Sequence, residues 1–319
     1  MPKISVCIPV YGVEKYIERC ARSLFEQTMT DGIEFIFVND CTKDKSIEIL
    51  EQVLSEYPQR KNQVKIIHHE KNGGLVAARN TGLKHAAGDY IIHCDSDDWV
   101  DINMYETMYN KAIETNADVV CCPYIVEKGN NHFKIVVPQI SPDIDTYIKN
   151  NFGKHLNSLW SKLYKKEIAL DKTLYVPDHI CMAEDLLRNS QMLVKCQRIA
   201  YVENTRYHYR ANDESITHTL KKKHIDNLWE TICLLKDYLP ENFSYLTNRL
   251  YRSLLLTTLI EASKKTETEE VCKDIWLQAP LSIKLGIILD QAFSWKSKLI
   301  VFAACMNRKF AIKILLYFQ

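Results

Sequence analysis

Residues 95–98 read Asp95-Ser96-Asp97-Asp98 and follow the apolar run Tyr90-Ile91-Ile92-His93-Cys94. An apolar strand gains no stability by running into three carboxylates. Like charges repel, and partly buried ones need a compensating cation. A hard divalent ion with oxygen ligands supplies that compensation and keeps open positions for substrate phosphates. Asp95 and Asp97 stand two residues apart, so extended backbone sends both carboxylates from one face toward a single metal–diphosphate, with Asp98 on the opposite side. A solvated acidic turn or a helix N-cap is the plain alternative. Asp101 can cap the helix that follows, which leaves the three earlier acids unexplained by capping.

A second acidic pair sits in Met182-Ala183-Glu184-Asp185-Leu186-Leu187, at the start of an apolar helix. There the helix dipole and free N–H groups hold a carboxylate ionised, and two acids are more than one cap requires. Asp40, at the end of an apolar run, can accept the imide N–H of uracil, which cytosine lacks, and Tyr11 can stack on the ring. Turn capping by Asp40 and packing by Tyr11 are the bland readings. Arg79 carries an always-charged fork suited to a diphosphate or sugar, or to a surface salt bridge. His208 is a candidate third metal ligand, since neutral imidazole binds manganese-like ions. Trp160, Lys162 and Tyr164 read either as an acceptor pocket or as packing. Arg210 and residues 212–217 read as a loop able to close over the diphosphate. Neither Gly-x-Gly-x-x-Gly nor Gly-x-x-x-x-Gly-Lys occurs, so a dinucleotide cradle or phosphate loop is not expected, and a metal at Asp97 must neutralise the diphosphate instead.

The elements that must position these residues alternate. Residues 4–11 read as a buried strand ending in a turn, followed by a helix with Val13, Tyr16, Ile17, Cys20, Leu24 and Phe25 at helical spacing. A second strand, 33–38, delivers Asn39-Asp40, and a helix over 46–57 follows. A third strand, 64–67, leads through Asn72-Gly73-Gly74 into a helix holding Ala77-Ala78-Arg79-Asn80. The fourth strand carries the acidic cluster. Such alternation implies a mostly parallel sheet whose ligands bind at the carboxyl ends of strands. Tyr11, Asp40 and residues 95–98 all fall at those ends.

In these residues the chain resembles the family-2 glycosyltransferases. The matching pieces are Ile8-Pro9-Val10-Tyr11, Val38-Asn39-Asp40-Cys41-Thr42-Lys43-Asp44, Asn72-Gly73-Gly74-Leu75, Ala78-Arg79-Asn80-Thr81-Gly82 and Asp95-Ser96-Asp97-Asp98. Trp160-Ser161-Lys162-Leu163-Tyr164, Ala183-Glu184-Asp185-Leu186-Leu187 and Tyr207-His208-Tyr209-Arg210 continue the series in the family's order. The resemblance covers roughly residues 3–218 and stops short of the last hundred. Gly12 departs from it, because many members carry Asn there.

The resemblance implies an α/β GT-A nucleotide-diphospho-sugar transferase fold, a mostly parallel sheet with helices on both faces, over residues 1–220. A helical C-terminal region, 221–319, follows. It implies a metal-dependent, inverting glycosyltransferase of the hexosyltransferase type, acting in cell-surface polysaccharide or lipid-linked oligosaccharide synthesis. Mn2+ or Mg2+ is the implied cofactor, a UDP-sugar the donor, and a saccharide or lipid-linked saccharide the acceptor. Pro9, Val10, Tyr11, Asp40, Arg79, Asp95 and Ser96 would bind the nucleotide-sugar. Asp97 would hold the metal with His208, and with Asp95, which alternatively holds the ribose. Asp185 would be the general base for the acceptor hydroxyl, help worth roughly 10²–10⁴ in rate, with Glu184 able to exchange roles. Trp160, Lys162 and Tyr164 would shape the acceptor site.

Bulk properties narrow the alternatives. A length of 319 residues suggests two domains, and a net charge of +1 gives no reason to expect nucleic acid as a partner. Eleven cysteines, mostly in apolar runs and without a Cys-x-x-Cys pair, point to reduced thiols in a cytoplasmic setting. The N-terminus runs straight into the first strand, leaving no room for a signal peptide. The longest apolar run, residues 299–306, falls short of the about 20 residues that span a bilayer. From Lys221 onward helices are expected over 225–239, 245–263 and 281–318. The last carries Lys284, Lys296, Lys298, Arg308, Lys309 and Lys313 against one acid, Asp290. It reads either as a peripheral anchor on the inner face of the cell membrane or as a helical bundle with solvated lysines. A non-catalytic sugar-nucleotide-binding or membrane scaffold is the rival function, and the Glu184-Asp185 pair argues against it because binding needs no base. A nucleotidyltransferase would want a basic Gly-rich loop, which Pro9-Val10-Tyr11-Gly12-Val13-Glu14 lacks.

Overall fold

The computed structural model describes residues 2–128, 132–152, 154–211, 222–261, 275–289 and 293–306. The chain divides into two units, Met1–Ser215 and Ile216–Gln319. The first contains β1 (Ile4–Val10), α1 (Ile17–Phe25), β2 (Ile33–Asn39), α2 (Ser46–Ser55), β3 (Val64–His68), α3 (Leu75–His85), β4 (Tyr90–His93) and β5 (Trp99–Val100). It continues through α4 (Met104–Thr115), β6 (Val119–Cys121), β7 (Tyr124–Lys128), β8 (His132–Val136), α5 (Ile144–Asn151), β9 (Lys162–Lys165), α6 (Lys166–Ala169), α7 (Glu184–Leu193), β10 (Ile199–Tyr201) and β11 (Tyr207–Arg210). The second contains α8 (Lys222–Tyr238), α9 (Ser244–Glu261), α10 (Leu281–Leu289) and α11 (Trp295–Met306).

The main sheet has seven strands in the order β10-β6-β9-β4-β1-β2-β3. All pairs are parallel except those of β9, which runs antiparallel between β4 and β6. β1 is buried at every position, as a central strand covered on both faces must be. Its register, Val10 with Asn39 and Cys7 with His93, brings the carboxyl ends of β1, β2 and β4 to one edge. Tyr11, Asp40 and Asp95 lie just past those ends. Gly82 lets α3 approach β1, since a Cβ there would stand 3.0 Å from the Cβ of Cys7.

The first helix begins later than its periodicity suggests. Residues 13–16 form a turn, and only Ile17 onward is helical. The reason lies in the neighbouring loop: the Gly12 N–H donates to Thr42 Oγ1, the Val13 N–H to Ser46 Oγ and the Glu14 N–H to Asp44 Oδ2. Asp101 also departs from expectation. The α4 N-cap is Asn103, without a side-chain bond, while the Asp101 carboxylate accepts from the Arg206 N–H and His208 Nε2.

A second sheet, ordered β5-β11-β7-β8, pairs β11 antiparallel with β5 and parallel with β7. It sets Tyr207 and Arg210 beside the acidic residues that precede β5. In the second unit, Leu255, Trp276, Ala279, Ile287, Ile300 and Val301 form a core. Within the expected helix over 281–318, residues 281–306 hold two separate helices, α10 and α11. Residues 307–319, with Arg308, Lys309 and Lys313, lie outside the described residues, as do Asp290 and the expected loop at 212–217.

The turn before β4 tests this packing. A Cβ on Gly88 would stand 2.6 Å from the Ser5 backbone nitrogen, which cannot yield without displacing the central strand. Gly88→Ala is expected to lower unfolding stability by about 2–3 kcal/mol, read as a lower urea midpoint at unchanged slope. An unchanged midpoint would show that β4 enters the sheet less tightly.

Candidate active site

The floor of the site is built by the exits of β1 and β2. Pro9 and Val10 are buried in β1, whereas Tyr11 is 54% exposed. Gly12 has φ +70°, a conformation glycine and asparagine adopt most readily, which accounts for Gly standing where Asn is usual in the resembling family. Asp44 ties the two exits together. It accepts from Thr42 Oγ1, the Ser46 N–H and the Glu14 N–H, and these bonds outweigh burial to hold its carboxyl below the usual range.

Asp40 is turned inward. Its Oδ1 accepts from the Gly73 N–H at 2.8 Å and pairs with His69 Nδ1 at 2.7 Å, and its Oδ2 accepts from the Gly74 N–H at 2.8 Å. It therefore fastens the Gly73-Gly74 loop, and the start of α3, to the end of β2. With three donors on a carboxylate only 4% exposed, it is a turn anchor here rather than an open acceptor for a uracil imide.

The acidic cluster is a turn, not extended strand: the Asp98 N–H donates to the Asp95 carbonyl. Asp95 and Asp97 remain partly exposed, and Ser96 is buried. Asp98 points inward, accepting from Tyr207 Oη at 2.8 Å and the Arg210 N–H at 2.8 Å. Burial, then the nearby Asp97 charge, pushes its carboxyl well above the ordinary value. Burial, then Asp95, also raises Asp97. Arg210 covers it, with Nη2 at 3.1 Å from Asp97 Oδ2 and the guanidinium 3.6 Å from the centre of the Tyr16 ring. The Asp97 carboxylate is thus ion-paired with Arg210.

Arg79 joins the acidic turn to the second acidic pair. From α3 its Nη2 donates to Asp95 Oδ1 at 2.9 Å, while Nη1 donates to Asp185 Oδ1 and lies 3.5 Å from Glu184 Oε1. Asp185 Oδ2 also accepts the Leu159 N–H. Both acids open α7, which starts at Ala183 in a left-handed conformation, φ +60°. Burial, reinforced by Asp185, raises Glu184 to about 7, and burial raises Asp185 against the pull of Arg79.

Four of the expected site residues are placed elsewhere. His208 has both ring nitrogens engaged, Nδ1 with Glu127 at 2.9 Å and Nε2 with Asp101 at 2.8 Å, and it stacks on Trp99. In this arrangement both nitrogens face carboxylates rather than the acidic turn at Asp95 and Asp97. Burial opposes its protonation, but the two carboxylates outweigh that and raise its pKa. Trp160 is buried, stacked on Tyr207 at 4.1 Å between ring centroids. Tyr164 is buried with its hydroxyl on Asn189. Lys162 is fully buried, donating to the carbonyls of His155 at 2.6 Å and Ser158 at 2.7 Å, and burial lowers it to about 8. All three are buried: Trp160 packs against the second sheet, Tyr164 against α7 and Lys162 on the 155–158 turn.

Sequence reasoning missed Arg188, one turn after Glu184. It donates to Asn80 Oδ1, and burial, with Arg79 nearby, lowers it to about 10. An arginine four residues after an acid on an apolar helix was the available signal. A cleft of 920 Å³ opens on the Arg188 side, between α3 and the 169–178 segment, and includes the exposed Tyr175.

Among the described residues, no three His, Cys, Asp or Glu side chains are grouped to hold a metal ion. Asp95 and Asp97 instead fit an ion that takes one or two carboxylates and completes its shell with water and phosphate oxygens, the habit of Mg2+.

Comparison with known proteins follows the same lines. Residues 5–189 match the sequence model described as Glycosyl transferase family 2. The uncharacterized glycosyltransferase EpsJ of Bacillus subtilis is 33% identical over 234 residues, a match that covers 71% of this chain and 66% of that protein. Staphylococcus aureus TarS 1–349 in complex with UDP superposes with a TM-score of 0.68 at 19% identity, covering 99% of this chain and 91% of that one. The mannosyltransferase PcManGT from Pyrobaculum calidifontis, in complex with GDP-Man and Mn2+, gives a TM-score of 0.57 at 12% identity, covering 99% and 86%. Both structures share the fold.

The Asp40 geometry has a measurable consequence. Asp40→Ala leaves two loop N–H groups without their acceptor, so stability is expected to fall by about 2–3 kcal/mol. Affinities for uridine, cytidine and guanosine diphosphates should fall together. A loss confined to UDP, at wild-type stability, would instead make Asp40 the reader of the base.

Proposed function

The chain belongs to glycosyl transferase family 2 and is a glycosyltransferase, and on that premise we propose that it transfers a sugar, with inversion, from a UDP-sugar to a hydroxyl of a saccharide or lipid-linked saccharide during cell-surface polysaccharide assembly. The observation that carries this reading is the guanidinium of Arg79, which joins Asp95 of the acidic turn to Glu184 and Asp185 of α7. A diphosphate-binding group and a candidate base thus meet at one side chain. Mere donor binding would not need the second half of that arrangement. The UDP bound by TarS supports the choice of donor, and the Mn2+ in PcManGT supports a divalent ion.

In this reading Asp185, beside Glu184, takes the proton of the acceptor hydroxyl as its oxygen attacks the anomeric carbon. The bond from that carbon to the diphosphate oxygen breaks, UDP departs, and a single displacement inverts the configuration. Arg79 stands where it can counter charge growing on the departing diphosphate. Tyr11, exposed at the exit of β1, offers a face to the base. Asp97 and Asp95 would hold Mn2+ or Mg2+, which when bound would neutralise the diphosphate.

The base assignment is tested by two variants. Asp185→Asn should cut turnover by about 10²-fold or more with donor affinity nearly intact. Because burial and the neighbouring Asp185 raise Glu184 to about 7, wild-type turnover should climb as pH rises through neutrality while the pair ionises, and in Glu184→Gln the climb should move to lower pH, since Asp185 then titrates without its charged neighbour. An inactive Glu184→Gln beside a fully active Asp185→Asn would move the base to Glu184, and wild-type rates in both would remove α7 from the chemistry.

Asp97→Ala should keep the fold and lose the manganese-dependent part of UDP affinity, measured calorimetrically. A folded variant whose UDP affinity still rises with manganese as in the wild type would sink the metal assignment.

A further inference from the structure

The second unit carries an apolar surface that its own core does not use. On α10 and α11 the inward residues Ile287, Ile300 and Val301 already pack with Leu255, Trp276 and Ala279. The outward residues are apolar as well. Leu281, Leu285 and Leu289 recur every four residues along α10 and form a stripe, with Leu289 80% exposed. On α11, Trp295, Leu299 and Phe302 are exposed at spacings of four and three, Trp295 at 65%. Contiguous exposed apolar surface of this kind marks an interaction site.

Charge identifies the partner. Lys284, Lys296 and Lys298 are interspersed with the stripe, and Asp290 is the one acidic residue in the sequence from 275 to 306. The half-buried Lys284 holds its ammonium 5.2 Å from the centre of the buried Trp276 ring, at the edge of the stripe. No helix among the described residues is long and apolar enough to cross a membrane. Helices of nine and twelve residues with leucine, tryptophan and lysine outward suit a bilayer surface. We propose that the outer face of α10 and α11 docks the protein on an anionic phospholipid surface, with the stripe at the acyl boundary and the lysines among the headgroups.

The test uses the full chain and vesicles of phosphatidylcholine, alone or mixed equally with phosphatidylglycerol. The protein should sediment with the mixed vesicles at low salt, less so at high salt, and poorly with phosphatidylcholine alone. Replacing Lys284, Lys296 and Lys298 together by Gln should weaken partitioning on the order of 100-fold. Leu285→Gln, Leu289→Gln and Trp295→Gln combined should abolish it while leaving UDP binding and thermal unfolding unchanged. Failure to sediment at low salt would overturn the proposal, as would equal sedimentation of the lysine variant. A full chain that self-associates and ignores vesicles, and that becomes monomeric in the stripe variant, would assign the surface to a second copy instead. Should the stripe variant misfold, the lysine variant still decides, because its substitutions remove charge and leave the apolar contacts in place.

Discussion

A buried guanidinium surrounded by three carboxylates holds the centre of this molecule together. Arg79 is almost closed to solvent and reaches Asp95, Glu184 and Asp185. Removing it would leave uncompensated charge in a poorly solvated space, a heavy cost for any fold. Keeping it forces α3, the turn after β4 and the start of α7 into one arrangement. The close seat of α3 on β1 at Gly82 and the Asp40 clasp on the Gly73-Gly74 loop both fix where Arg79 begins. Leu159, donating to Asp185, fixes where it ends.

The acidic turn is organised by a second device, β11. Tyr207 and the Arg210 N–H hold Asp98 inward, and the Arg210 side chain covers Asp97. One acid of the cluster is thus structural, and two face the donor side with arginine counter-charges. Asp97 is partly exposed and its pKa is raised by burial and by Asp95. That combination favours an incoming cation, which would take over the role of Arg210.

The same economy explains which aromatic and cationic residues are not at the site. Trp160 stacks on Tyr207 and Tyr209 and meets Tyr124 edge-on behind the acidic turn, and Lys162 satisfies carbonyls of the 155–158 turn. These groups give the second sheet and α7 a common, rigid backing. Rigidity there matters because a base displaced by an ångström loses much of its effect.

The sequence by itself determined the strand–helix alternation, the mostly parallel sheet and the clustering of Tyr11, Asp40 and residues 95–98 at its carboxyl edge. These follow from local periodicity and from where polar residues interrupt apolar runs, both written in short windows of chain. It also determined that Glu184 and Asp185 open a helix. Only the tertiary structure decided what each side chain faces. Asp40 looked available for a base until the Gly73 and Gly74 N–H groups, over thirty residues away, were found on it. His208 looked like a ligand until Asp101 and Glu127, from two other strand regions, occupied both nitrogens. The joining of Asp95 to Asp185 through Arg79 spans ninety residues of chain. No local pattern encodes such partnerships, because hydrogen bonding and burial are set by neighbours in space.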